Sequence, residues 1–429
     1  MKKLCVPLVA ALLLTACGTP AKEQAPATTQ APPATVEIAE IAATPAPTEE
    51  PTLELHWIDS QNSKGVYRSE PLYGEGGYGY GNGGIAAHYY DFANATEQIF
   101  GEPLDLETAN LHLFADETSL YWVWSGMITD TPILLRSDLD GGNRQPLYDF
   151  PQGTSLSVGY GGLASDGTAL YFSYCHISDD PAVLDDYELV RLDPETKTLE
   201  TITEWAPFSG GLVGVWDGRL LITRTTLADD CPLEPVYEHY RVANIEELKP
   251  WMTTSLCALN PLTGTEEVLS SCPGWRLDRK LAEDALWFED EEGRILCRPL
   301  GETEDTVVTQ LPQVMQNMGI YTEDILLYGQ EDGQEWLYIY NRADGTLTRS
   351  PQRRWIGEED RPIWVLREAG PGRYLVWDDA STGMQQLAGA DGTQYLIDGY
   401  ARYAIASRES LLDKSVPMTP VTRPGTPGN

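Results

Sequence analysis

The sequence predicts an all-β protein: a single β-propeller of seven four-stranded blades, with six or eight blades as the alternatives. Three observations predict it. Leu120-Tyr121-Trp122-Val123-Trp124 is an aromatic, β-favouring run, and Leu134–Arg144 follows it with a second strand and a turn around Gly141-Gly142. The same skeleton recurs in degraded form through the rest of the chain, with a period of about 40 residues that marks a repeat architecture. Helix signals are nearly absent, with one short candidate at Asn244–Lys249.

In chain order, Met1-Lys2-Lys3 is a positive start and Leu4–Leu14 an apolar core too short to span a bilayer. Leu14-Thr15-Ala16-Cys17 ends it and resembles the bacterial lipobox, which implies a signal peptide over 1–16 and lipidation of Cys17. Residues 17–52 are rich in Pro and Thr and hold no aromatic residue. Such a stretch buries too little to fold, so it reads as a disordered tether reaching roughly 110 Å. The propeller is expected over 53–416 and a disordered tail over 417–429.

Six units fit the repeat, at 111–150, 163–204, 212–270, 276–311, 320–351 and 363–398. The second strand of each carries a signature such as Leu170-Tyr171-Phe172, Leu286-Trp287-Phe288 or Leu326-Leu327-Tyr328. The third ends in an Asp/Asn turn, as at Asp193-Pro194-Glu195-Thr196, Asn260–Gly264 and Asn341–Gly345. Asp or Asn there bonds its own backbone and Gly supplies positive φ, so these residues are turn chemistry. Asp138–Gly141 lacks the ligand spacing of a calcium loop. Two half-units remain: 85–100 as the last two strands of a blade, and 401–416 as the first two. Joined, they make a seventh blade from both termini and leave no exposed edge. The glycine-rich run Gly74–Gly84 precedes a strand and lacks Gly-Lys-Ser/Thr, so it is no phosphate loop.

Candidate binding residues come from strand parity. The loop between strands two and three lies on the same face as the blade-to-blade connections. Two adjacent blades carry insertions there, at Cys175–Tyr187 with His176, and at Leu227–Met252 with Tyr237, His239 and Tyr240. The connections add Tyr160, Trp205, Phe208, Trp275 and Trp355, rings that suit a sugar or peptide. No HExxH spacing and no Gly-x-Ser-x-Gly elbow occurs, and no catalytic residue, metal ligand or cofactor is assigned. Cys175, Cys231, Cys257, Cys272 and Cys297 are an odd set without CxxC spacing. Cys257 and Cys297 occupy strand positions expected to hold buried thiols.

The chain has 29 Lys plus Arg against 65 Asp plus Glu, a net charge of −36. That balance repels nucleic acid and anionic lipid headgroups. Leu120–Arg144 resembles the class B (YWTD) repeat of low-density-lipoprotein-receptor propellers, with its "LYW" strand and "LDG-x-N-R" strand end. The whole plan is similar to clostridial-type surface lipoproteins with a propeller of undefined function. Its features are the lipobox, the Thr/Pro linker, Tyr89-Tyr90-Asp91-Phe92 near the start and Tyr403–Leu412 near the end. The resemblance implies a monomer on the extracellular face of the cell membrane, touching the membrane only through its lipid. It would act as a binding or assembly module for a glycan, a peptide or a surface protein. The alternative is an extracellular carbohydrate-active enzyme using a carboxylate pair on the insertion face.

Overall fold

The computed structural model describes residues 53–422 apart from 72–84, 105–110, 127–130, 159–161, 179, 181–182, 184, 206–209, 239–240, 278, 312–314, 357–358, 381–384, 389–393 and 398–400. The signal, Cys17, the tether, the Gly74–Gly84 run, Tyr160, Phe208, His239 and Tyr240 lie outside the described residues.

Seven antiparallel sheets follow one another along the chain as blades. Blade 1 is Gly65–Pro71, Ile85–Asp91 and Thr96–Leu104. Blade 2 is Leu111–Ala115, Ser119–Trp124, Ile133–Asp138 and Gln145–Pro146. Blade 3 runs from Leu163–Ser165 to Thr198–Glu204, blade 4 from Gly210–Trp216 to Glu266–Pro273, and blade 5 from Lys280–Ala282 to Thr306–Gln310. Blade 6 runs from Met315–Ile320 to Leu347–Arg349. Blade 7 is Trp364–Gly370, Arg373–Ala380, Ala401–Ser407 and Thr419–Pro420.

Both faces of an inner strand are buried here, which explains the unbroken apolar runs. Leu120, Trp122 and Trp124 point into the junction with blade 1, while Tyr121 and Val123 point into the junction with blade 3. Every junction carries its own apolar cluster, including the closing one. There Val66, Tyr90 and Phe92 of blade 1 meet Leu375, Tyr403 and Ile405 of blade 7. Sheets packed face to face around a ring bury the core in wedges, not in one centre.

The ring closes differently from the sequence expectation. Ala401–Ser407 is the third strand of blade 7, paired with Arg373–Ala380, and is not the start of a new blade. The segment expected to finish that unit forms a separate hairpin, Gln385–Ala388 with Gln394–Ile397. After Ser407 the chain turns into a helix, Arg408–Leu412, where strand was expected. Ser407 caps it, accepting from Ser410 N, while the Ser410 hydroxyl accepts from Ser407 N. The outer strand Thr419–Pro420 lies in what reads as the tail. Ile85–Asp91 and Thr96–Leu104 are the outer strands of blade 1, as expected, but the N-terminal chain itself supplies the inner one. Gly65–Pro71 pairs with Ile85–Asp91, and Gln61 forms an antiparallel bridge to Val66 inside it. From the other terminus Thr422 makes a parallel bridge to Thr96, donating to Ala95 O and accepting from Glu97 N.

The turns follow the expected chemistry. Asp193 accepts from Glu195 N and Thr196 N, Asn260 from Leu262 N, and Asn341 from Ala343 N. Gly141, Gly264 and Gly345 sit at φ of 78°, 73° and 74°. Asn244 opens the short helix Ile245–Leu248 inside the blade 4 insertion. Among the described residues no helix is long and apolar enough to cross a membrane.

Candidate functional site

The N-terminal segment of the domain runs inside the ring. His56–Ile58 pairs antiparallel with Leu163–Ser165, on the inner edge of blade 3. Residues 59–62 then run past the neighbouring blades 2, 7 and 1. Asp59 O accepts from Ala115 N, Gln61 Nε2 donates to Glu368 O, and Asn62 Nδ2 donates to Asp116 O. Ser60 of this segment lines two neighbouring cavities among the inner strands, which also share Arg68 and Arg367.

The smaller cavity, about 390 Å³, is bounded by inner strands of blades 1, 5, 6 and 7. Arg68, Lys280 and Arg367 bring charge to it, Asn317 and Ser60 bring polar groups, and Tyr321, Tyr328 and Trp364 bring rings. No carboxylate lines it among the described residues. Arg367 Nη2 donates to Ser60 Oγ at 3.1 Å. Arg68 Nη1 donates to Tyr403 Oη at 3.0 Å, and Lys280 Nζ donates to Met318 O. Lys280 is open to the channel interior yet surrounded by protein. That burial, and then the positive charge of Arg367, holds its ammonium below the ordinary lysine range. Trp364 lies against Tyr328 with centroids 4.7 Å apart and planes tilted by 32°. The Tyr328 hydroxyl is engaged on both sides, accepting from Val365 N and donating to Ile363 O. The larger cavity, about 660 Å³, adds Trp57, Asp59, Tyr67 and His112, whose imidazole burial pushes below its usual value.

The described residues among those singled out from sequence are not brought together in either cavity. Trp205 is 8% exposed, packed with Tyr171, Leu212 and Leu220 at the junction of blades 3 and 4. Arg224 covers its ring at 5.6 Å, and a Cβ on Gly210 would come within 2.2 Å of it. Trp275 is half-buried over the apolar cluster of the blade 4 insertion, with the Arg276 guanidinium 4.0 Å and the Lys249 ammonium 5.4 Å from its ring. Trp355 is the open one, 58% exposed. His176 is exposed, with Nε2 3.0 Å from a Glu188 carboxylate oxygen, and stacks edge-on against Tyr174. Tyr237 pairs with Val242 in a two-residue hairpin. Cys257 is buried and Cys297 half-buried, and burial first of all pushes both thiols up, Cys257 to about 12. Among the described residues no group of three or more His, Cys, Asp or Glu is placed to hold a metal ion.

Sequence reasoning missed the channel cations. Lone Arg and Lys residues on three separate inner strands carry no local pattern. The available signal was their rarity, a cation on an innermost strand of an acidic chain.

No family model matches the sequence, and no curated protein matches it. Solved structures do. The chain is similar to an oligogalacturonate lyase in complex with manganese, at 14% identity and TM-score 0.45, covering 82% of this chain and 88% of that one. It is similar to oligopeptidase B from Leishmania major, at 13% identity and TM-score 0.45, covering 85% of this chain and 50% of that one. An oligogalacturonate lyase from Vibrio parahaemolyticus matches at 9% identity and TM-score 0.39, with 88% of each chain covered. Those distant neighbours are enzymes, and the seven blades of this chain rest on its own sheet order.

Proposed function

We propose that this protein is a ligand-binding module on a bacterial cell surface, anchored through Cys17 and holding its ligand in the axial channel. The lipobox and the Pro/Thr-rich stretch after it support the anchor and the tether, and the resemblance to clostridial-type surface lipoproteins supports the setting. One observation carries the choice of site. Arg68, Lys280 and Arg367 converge on a cavity with no carboxylate among its described lining residues, in a chain whose net charge is −36. Like charges gathered in a partly enclosed site repel one another, and a bound anion offsets that cost. The connection face offers less: Trp205 and Trp275 are engaged in packing, which leaves Trp355 and His176 exposed among its described candidate rings.

The test is a glycan array and a cell-wall pull-down with the purified full chain. Arg367→Glu should abolish whatever capture the wild type shows, and Asp344→Ala, in an exposed turn, should leave it intact. Capture that survives Arg367→Glu and disappears in Trp355→Ala would move the site to the connection face. The anchor has its own check: Cys17→Ser should shift the protein from the membrane fraction to the soluble one.

A further inference from the structure

We infer that the ligand of the axial channel is a compact anionic saccharide, its acid group held between Arg367, Lys280 and Arg68 and a ring face laid on the aromatic wall around Trp364. This rests on the channel being the binding site. Charge selects the sign of the ligand. Three cations from three different blades face one cavity, and no carboxylate lines it among the described residues. Lys280 and Arg367 line the same cavity and are close enough for the arginine to disfavour protonation of the lysine, so an anion between them relieves that repulsion.

Shape and polarity select the saccharide. Trp364 and Tyr321 line the cavity half-exposed, and the Tyr328 hydroxyl is already engaged, so this wall offers flat carbon surface. A pyranose presents such a C–H face, with hydroxyls at its edge for groups like Asn317 and Ser60. A volume of about 390 Å³ falls in the range of small-ligand sites. Overall charge selects compactness. The acidic exterior repels long polyanions, whereas a mono- or disaccharide can pass within the channel once its few charges reach the cations. The larger cavity, sharing Ser60, Arg68 and Arg367 and adding Trp57, has room for a second ring, whose neutral hydroxyls can donate to the Asp59 carboxylate there.

The test is calorimetric titration of the full chain, at low ionic strength, with glucuronate, glucose, inorganic phosphate and an aspartyl dipeptide. Glucuronate should bind, glucose should not, and phosphate and the dipeptide should bind more weakly than glucuronate. Arg367→Gln and Lys280→Gln should each weaken glucuronate about tenfold or more, as expected for losing a hydrogen bond to a charged group. Both side chains are open to the channel, and an unchanged melting temperature confirms that each variant is folded. No measurable glucuronate binding overturns the inference, as does equal affinity for glucose. Phosphate binding as tight as glucuronate reduces the site to a simple anion trap, and tighter binding of the dipeptide reassigns it to acidic peptides. A neutral array ligand that is lost in Arg367→Glu would sink this inference and leave the channel site standing. Glucuronate binding untouched by both substitutions would sink both.

Discussion

Tyr121 and Tyr171, the tyrosines of the aromatic strands, are pinned by an aspartate five residues earlier. Asp116 accepts from Thr118 N and Ser119 N while Tyr121 Oη donates to its second oxygen, and Asp166 does the same with Thr168, Ala169 and Tyr171. The next residue in the first strand, Trp122, donates from Nε1 to Ser137 Oγ and lies 3.9 Å beneath the Arg144 guanidinium. The "LYW" and "N-R" ends of the repeat are thus two sides of one contact. Arg144→Ala should lower unfolding stability by about 0.5–2 kcal/mol in urea titration. For Asp166, burial pushes the carboxyl up, but hydrogen bonds from Ala169, Thr168 and Tyr171 outweigh it and leave the group below its ordinary range. A depressed folded value stabilises above the unfolded carboxyl pKa, about 3.9, and that contribution is lost as pH falls through the folded value. The urea midpoint of the wild type should therefore drop more steeply between pH 5 and pH 3 (working values of about that size) than that of Asp166→Asn.

At the scale of elements, the blade 4 insertion is a small fold of its own. Leu248 and Met252 are buried beneath Leu227, Cys231, Leu233, Val242, Ile245 and Trp275. The helix Ile245–Leu248 is too short to persist alone, so this cluster must hold it in place. Leu248→Ala removes the centre of the cluster, at a local cost of about 2–5 kcal/mol. Because the cluster sits outside the interblade wedges, that cost should appear as faster proteolysis within residues 228–251, with little change in the melting of the propeller. A large fall in the global melting temperature would show instead that the insertion braces blade 4.

For the whole molecule, closure combines packing and a small clasp. The apolar wedge between blades 7 and 1 supplies most of the buried surface, and the Thr422 bridge covers the outer edge at Thr96. Ending the chain at Val416 would remove Thr419–Pro420, the clasp and the packing of Met418 and Val421. Such a chain should melt lower and associate through the uncovered edge of Ala401–Ser407, which light scattering would detect. A truncated chain that melts like the full one would show that the wedge alone closes the ring.

The sequence by itself determined the repeat, the count of blades, the Asp/Asn-Gly turns and the one short helix in the insertion. All of these are local: β-periodicity, side-chain-to-backbone bonding and positive-φ glycine act within a few residues. It could not determine which strands complete the first and last blades. Gln385–Ala388 and Ala401–Ser407 both follow Arg373–Ala380 in the chain, and pairing across an excursion depends on the packing of Ala404 and Ala406 against blade 6. Nor could it place the candidate site. Ser60 and Arg68 lie far in the chain from Lys280 and Arg367, and only closure of the ring brings them around one axis. The N-terminal strand inside the ring is equally silent in sequence. Trp57 and Ile58 look like any short apolar pair until blade 3 offers Leu163 and Ala164 as partners.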